Sequence, residues 1–226
     1  MPSLPINDNK AICISQQCKT INKIVSKYKN DIWIYSYFNY LMNINTNNYT
    51  NNEYVIPGNY DKLPVFCLYD IDNNEIPEII LIYDDGNWEN VNCDVLSFMN
   101  DKIINLGRIK INIFGNIGAP INIDEGLFCD DTYKGHYGAL YYYTIENNKL
   151  KEKIYSLYDY SASLNIEEHY SLIFMYDNPN EIKVIHNTDK KYKEAKKLIE
   201  LKSIEFYQIS EKNINGSIIA FKKLKK

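Results

Sequence analysis

The chain has 226 residues, 45% hydrophobic and 24% charged, the balance of a folded domain and not of a disordered chain. Its net charge is −4, and no apolar run approaches the roughly 18 residues of a membrane-crossing helix. Ile (34), Asn (30), Lys (24) and Tyr (21) supply nearly half the sequence against one arginine, Arg108, so a dedicated reader of nucleic acid, which uses arginine for bidentate contacts, is not expected.

Ile21, Ile24, Val25 and Tyr28 fall on one helical face and predict a helix over about 16–29. Residues 31–44, with Trp33, Tyr35, Tyr37, Phe38, Tyr40, Leu41 and Met42, predict a second helix, although aromatics also suit strands. Asn43 to Pro64 is Asn-rich, carries Pro57-Gly58, and reads as a long loop. From Val65 the pattern changes to strand-length apolar runs: 65–71, 79–83, 91–98, 102–109, 139–145, 150–158, 172–176 and 182–185, with further apolar segments near 111–114 and 121–128. Turn signals separate them at Asp84-Asp85-Gly86-Asn87, Asn100-Asp101, Glu146-Asn147-Asn148 and Asp177-Asn178-Pro179-Asn180. Lys190–Lys202 returns to helical spacing, with Tyr192, Ala195, Leu198 and Ile199 on one face. Phe206–Ile209 suits a short strand, and Ser210 can cap a last short helix. The predicted class is α+β: N-terminal helix or helices, a central antiparallel β-meander and a C-terminal helix. One domain is expected over 1–226, with a helical and loop start (1–64), an antiparallel sheet (65–187) and a helical, basic end (188–226). Residues 189–226 carry net +6 and the remainder −10; the basic end reads as a solubilising face.

Five cysteines are scattered. Cys13 and Cys18 are not a Cys-x-x-Cys clip and have no nearby His, while Cys67, Cys93 and Cys129 sit singly in apolar segments. Structural thiols are expected, not zinc ligands or a disulfide framework.

The segment with chemistry is Asp70-Ile71-Asp72-Asn73-Asn74-Glu75-Ile76-Pro77-Glu78, between two apolar strands. Hard cations such as Ca²⁺ take six to eight oxygens. Asp70, Asp72 and Asn74 alternate and can offer side-chain oxygens, Ile76 its carbonyl, and Glu78 both carboxylate oxygens. An EF-hand places its bidentate Glu at loop position 12 on a helix; here the acid is at position 9 and a strand follows. The same residues also suit a metal-free hairpin in which Asp and Asn side chains cap their own backbone.

This loop resembles the strand–loop–strand calcium hairpins of FG-GAP and integrin-propeller repeats, whose pattern is D-x-D/N-x-D-G-x-x-D/E. It departs at position 6, where Glu75 replaces a glycine favoured for its backbone freedom, and at position 5, where Asn74 replaces an acid. The longer stretch Phe66 to Leu81 resembles a group of uncharacterised Firmicutes secreted proteins and lipoproteins whose core reads F-x-L-x-D-I-D-G-D-G-I-P-E-L. Residues 102–107, 135–150 and Ser210-Glu-Lys-Asn213-Ile214 fit that group loosely. The resemblance implies an extracytoplasmic, calcium-stabilised domain.

Residues 1–10 lack a basic start followed by an apolar stretch. An extracytoplasmic or cell-surface location is therefore expected if an upstream signal has been removed, and a cytoplasmic one otherwise.

Weaker constellations follow. Gly115-Asn116-Ile117-Gly118 lacks the helix that phosphate binding would need. Asp124, Glu125, Asp130 and Asp131 read as a solvated acidic loop before His136, the best single catalytic candidate. His169 and His186 read as structural or exposed. Tyr137, Tyr141 and Tyr143 alternate and would line one strand face, either as an aromatic strip for a sugar or protein ligand or as a half-buried sheet face. The leading expectation is a non-enzymatic binding or surface-interaction domain with Ca²⁺ at 70–78 and an unidentified protein or carbohydrate partner. The alternatives are a hydrolase using His136 with Asp130 or Asp131, and an intracellular partner-binding or toxin-like protein without metal.

Overall fold

The computed structural model describes residues 22–23, 26–28, 31–44, 64–84, 90–112, 116–121, 125–133, 137–159, 171–173 and 201–224. Of the predicted first helix, Asn22, Lys23, Ser26 and Lys27 are helical, Tyr28 lies in a turn, and the rest is outside the described residues. The second prediction is met by helix α1, Trp33–Asn43. Trp33, Tyr37 and Leu41, spaced by four, are all buried, so the aromatic run follows a helical stripe and not a strand alternation.

Eleven strands follow among the described residues. β1 (Val65–Tyr69), β2 (Glu78–Asp84), β3 (Asn90–Met99) and β4 (Lys102–Asn112) form an antiparallel meander. β5 (Asn116–Pro120), β6 (Leu127–Tyr133), β7 (Tyr137–Glu146), β8 (Lys149–Asp159) and β9 (Ser171–Ile173) form another. β10 (Leu201–Ser203) pairs with β5, and β11 (Tyr207–Gln208) with β1. The sheet orders are β11-β1-β2-β3-β4 and β10-β5-β6-β7-β8-β9. Helix α2, Glu211–Leu224, closes the described chain. The fold is α+β, with two antiparallel sheets where one central meander was expected.

Several turns follow from residue type. Asn100-Asp101 and Asn147-Asn148 all have positive φ, from 49° to 60°, the backbone a two-residue type I′ hairpin needs and Asn and Asp tolerate. Ser210 Oγ accepts the Asn213 N–H (3.2 Å) at the start of α2, the predicted N-cap. Glu211 opens that helix and Lys222 and Lys223 end it, which complements its dipole.

Three assignments differ. Leu201 and Lys202, placed at a helix end by apolar spacing, begin β10; backbone pairing with Pro120 and Ala119 overrides that periodicity. Asp130 and Asp131, read as an acidic loop, lie within β6, paired to Leu140 and Ala139. Residues 116–118, read only within Gly115-Asn116-Ile117-Gly118, form β5 together with Ala119 and Pro120. The expected turns at 84–87 and 177–180, the strand at 182–185 and the helical stretch before Leu201 fall largely or wholly outside the described residues.

Strand alternation sorts the first sheet onto two cores. Phe66, Ile79, Leu81, Leu96 and Phe98 face α1 and α2, meeting Trp33, Tyr37, Leu41, Ile214, Ile218 and Phe221. Val65, Cys67, Ile80, Ile82, Cys93 and Val95 face the second sheet, meeting Ile117, Leu127, Cys129 and Tyr143. A bulge in β4 leaves Leu106 unpaired between Asn105 and Gly107. It resets the alternation, so that Ile104, Leu106, Ile109 and Ile111 all serve the inter-sheet core. The order of layers is helices, first sheet, second sheet. Trp33 and Phe221 meet edge to face at 6.0 Å, and Lys222 Nζ pairs with Asp31 (2.8 Å), joining the two helices. The three described cysteines are buried, and burial pushes the Cys67 and Cys93 thiols up. Cys13 and Cys18 lie outside the described residues.

Gly126, just before β6, is constrained twice. Its φ is +89°, and a Cβ there would lie 2.2 Å from the Tyr142 ring. Tyr142 is held over it, donating its hydroxyl to the Glu125 carbonyl (3.1 Å) and packing 4.8 Å from Phe128. Gly126→Ala is expected to cost about 2 kcal/mol or more from backbone strain and displacement of the ring. In a thermal melt that is a fall of roughly 4–8 °C for a chain of this size.

Candidate metal centre

The 70–78 segment joins β1 to β2 at one end of the first sheet. Its fold follows from short polar side chains bonding nearby backbone. Asp70 Oδ1 accepts the Asn74 N–H and Oδ2 the Glu75 N–H, both at 3.0 Å. Asn74 Oδ1 accepts the Ile76 N–H (2.8 Å), and its Nδ2 donates to Asp72 Oδ2 (3.0 Å). Asn73 and Glu75 hold positive φ, 56° and 71°. The latter is the conformation for which a glycine would be favoured at this position.

Glu78 has no solvent exposure. It alternates with Ile80 and Ile82 toward the second sheet. Its Oε2 accepts the Ile71 N–H and its Oε1 the Ser97 hydroxyl, each at 2.9 Å. Asp70 is 8% exposed and Asp72 half-buried. One oxygen of each of Asp70, Asp72 and Glu78 lies within 4.8 Å of the others. Two oxygens held at about 2.4 Å from one ion can be no further apart than that. This buried acidic triad could therefore hold a metal ion. Asp72 Oδ1 is wholly buried and has no hydrogen-bond partner.

The electrostatics show the strain of three carboxyls sharing so little water. Burial above all, and then the charges of Asp72 and Asp70, push Glu78 up to about 8 against the opposing bonds from Ile71 and Ser97. Burial, then Asp70, raises Asp72. Burial, then Glu78, raises the hydroxyl of Tyr37, which donates to the Pro77 carbonyl (2.7 Å) from α1.

Of the predicted oxygen donors, Asp70, Asp72 and Glu78 come together. Asn74 is turned onto Ile76 and Asp72, and Ile76 packs partly buried against the helix-side core. Ser97 and Tyr37 are additions that sequence reading missed. Ser97 left one signal: it is a polar residue on the inward-facing register of Cys93 and Val95. The aromatic strip is not an exposed surface where it is described. Tyr143 is 1% exposed and donates to Glu152 (2.9 Å), while Tyr141 is half-buried beside it against the inter-sheet core. The side chains of Tyr137, Asp130 and Asp131, and all of His136, His169 and His186, lie outside the described residues. No protein-family model, curated protein or solved structure matches the chain.

Two outcomes are expected. Glu75→Gly relieves the positive φ and should stabilise the chain by about 0.5–1 kcal/mol, a rise of roughly 1–4 °C in a melt. In chelator, folding takes up a proton at Glu78, because its carboxyl moves from the ordinary 4.5 to about 8. The stability linked to this neutral carboxyl is complete below the lower value and is lost as pH rises through the upper one. The melting temperature should therefore fall as pH is raised across that interval, and Glu78→Gln should flatten the profile.

Proposed function

We propose that the chain is a non-enzymatic binding or surface-interaction domain whose 70–78 hairpin is held by a structural Ca²⁺. The observation that carries the reading is Asp72 Oδ1, a buried carboxylate oxygen without a partner beside Asp70 and Glu78. A buried carboxylate needs a hydrogen bond, a proton or a cation. Asp70 and Glu78 have hydrogen bonds to each oxygen; Asp72 is bonded at Oδ2, while its Oδ1 has no partner. A cation would satisfy Oδ1 and screen all three charges at once.

The donor set supports a hard ion, since every side-chain ligand is oxygen. Loop carbonyls and water would complete the larger, more flexible shell of Ca²⁺ more readily than the strict octahedron of Mg²⁺. The role is structural, because the carboxylates are bonded into the loop and one has no solvent exposure. Extracellular modules hold Ca²⁺ at about 10⁻⁴–10⁻³ M, so the reading fits an extracytoplasmic or cell-surface setting, with a protein or carbohydrate as the partner class. The hydrogen-bonded loop without metal is the competing state. In it Glu78 keeps its proton and the hairpin stands on its own caps.

Melting the chain in chelator, in about 2 mM Ca²⁺ and in about 2 mM Mg²⁺ separates the two. With a dissociation constant near 10⁻⁴ M, mass action gives roughly 1.8 kcal/mol of stabilisation, or roughly 4–7 °C. The shift is expected for Ca²⁺ over Mg²⁺ and is expected to vanish in Asp72→Ala. Equal melting temperatures in all three solutions would leave the metal-free hairpin standing.

A further inference from the structure

The residues beside the three acids carry bonds to other layers of the fold. Ile71, between Asp70 and Asp72, donates its N–H to Glu78 (2.9 Å) and accepts the N–H of Gly126 (2.6 Å), the residue that leads into β6 of the second sheet. Its side chain is fully buried between the sheets. Pro77, just before Glu78, accepts the Tyr37 hydroxyl (2.7 Å) from α1. Glu78 itself accepts the Ser97 hydroxyl of β3 (2.9 Å). One short loop therefore bonds to the helical layer, to its own sheet and to the second sheet.

Resting on the Ca²⁺ reading above, we propose that occupancy of the 70–78 loop by a divalent cation is coupled to the docking of the second sheet, through Ile71 and Gly126, and of helix α1, through Pro77 and Tyr37. The physical ground is shared peptide units. A cation that draws Asp70, Asp72 and Glu78 together orders the Ile71 and Pro77 peptides, because these lie directly beside the ligands. Those two peptides carry the cross-layer bonds. Without the cation, repulsion between Asp70 and Asp72 acts on the Ile71 peptide that lies between them. Coupling is reciprocal, so a docked α1 and second sheet raise the affinity of the loop by the factor by which the ion tightens their docking.

The test uses the full chain and Ca²⁺ alone as probe. Amide exchange is followed at Gly126 with and without saturating Ca²⁺, and Ca²⁺ affinity is measured by calorimetry for wild type, Tyr37→Phe and, as a control tyrosine remote from the loop, Tyr83→Phe. Tyr37→Phe removes only the hydroxyl that reaches Pro77. Expected are Gly126 exchange slowed at least about tenfold by Ca²⁺, affinity lowered at least about fivefold in Tyr37→Phe, and affinity unchanged in Tyr83→Phe. Ca²⁺ binding of equal strength in all three chains, with Gly126 exchange indifferent to the ion, would overturn the coupling and leave the metal site intact. No Ca²⁺ binding by wild type would overturn the site and the coupling together. If Tyr37→Phe fails to fold, Gly126 exchange in wild type decides.

Discussion

The arrangement turns on one carboxylate with no access to water. Glu78 stands at the first position of β2, on the face that looks toward the second sheet, where Ile80 and Ile82 follow it. A charge there is costly unless it is neutralised or fully hydrogen-bonded. The Ile71 N–H and the Ser97 hydroxyl meet that need from the loop and from β3. Together they also fix register. A one-residue slip of β2 would turn Glu78 toward the helices and exchange the two sets of isoleucines between cores. The acid therefore helps to select one pairing, at an electrostatic cost visible in its raised pKa.

From that fixed point the layers follow. β1 and β2 carry apolar side chains on both faces, as central strands covered on two sides must. The β4 bulge serves the same end on the other flank. It keeps Ile104, Leu106, Ile109 and Ile111 in one core where an unbroken alternation would divide them. The one arginine is spent on this sheet as well. Arg108 donates to Asp94 (2.7 Å) and to the Tyr83 hydroxyl (2.8 Å), while Tyr83 donates to Asp94 (2.8 Å). The fork spans β2, β3 and β4, a geometry that the single ammonium of lysine does not reproduce.

What the sequence disclosed, it disclosed through local chemistry. The three carboxylates were legible because their spacing inside a polar break between apolar runs has few other uses. The Asn100-Asp101 and Asn147-Asn148 turns were legible because Asn and Asp tolerate positive φ, and α2 because Ser210 precedes it. What stayed hidden depended on distant partners. β5 contains two residues that weaken a strand signal, Gly118 and Pro120, and is a strand because β6 and β10 flank it. Asp130 and Asp131 carry the composition of a loop, yet backbone pairing places them in β6. Alternation showed which residues turn inward but not that they serve two sheets and two cores. Ser97 looked like any serine until Glu78 was placed opposite it.

The pairing of early strands with late ones has a consequence for synthesis. β1 is flanked by β11, β5 by β10, and the helix-side core joins residues 33–41 to residues 214–221. A ribosome releasing this chain exposes the apolar face of the first sheet long before Ile214, Ile218 and Phe221 emerge to cover it. Such late closure slows folding and lengthens the time in which the nascent chain can aggregate. A cell making this protein in quantity would therefore draw on chaperones that hold the unfinished sheet until residues 201–224 are free to complete it.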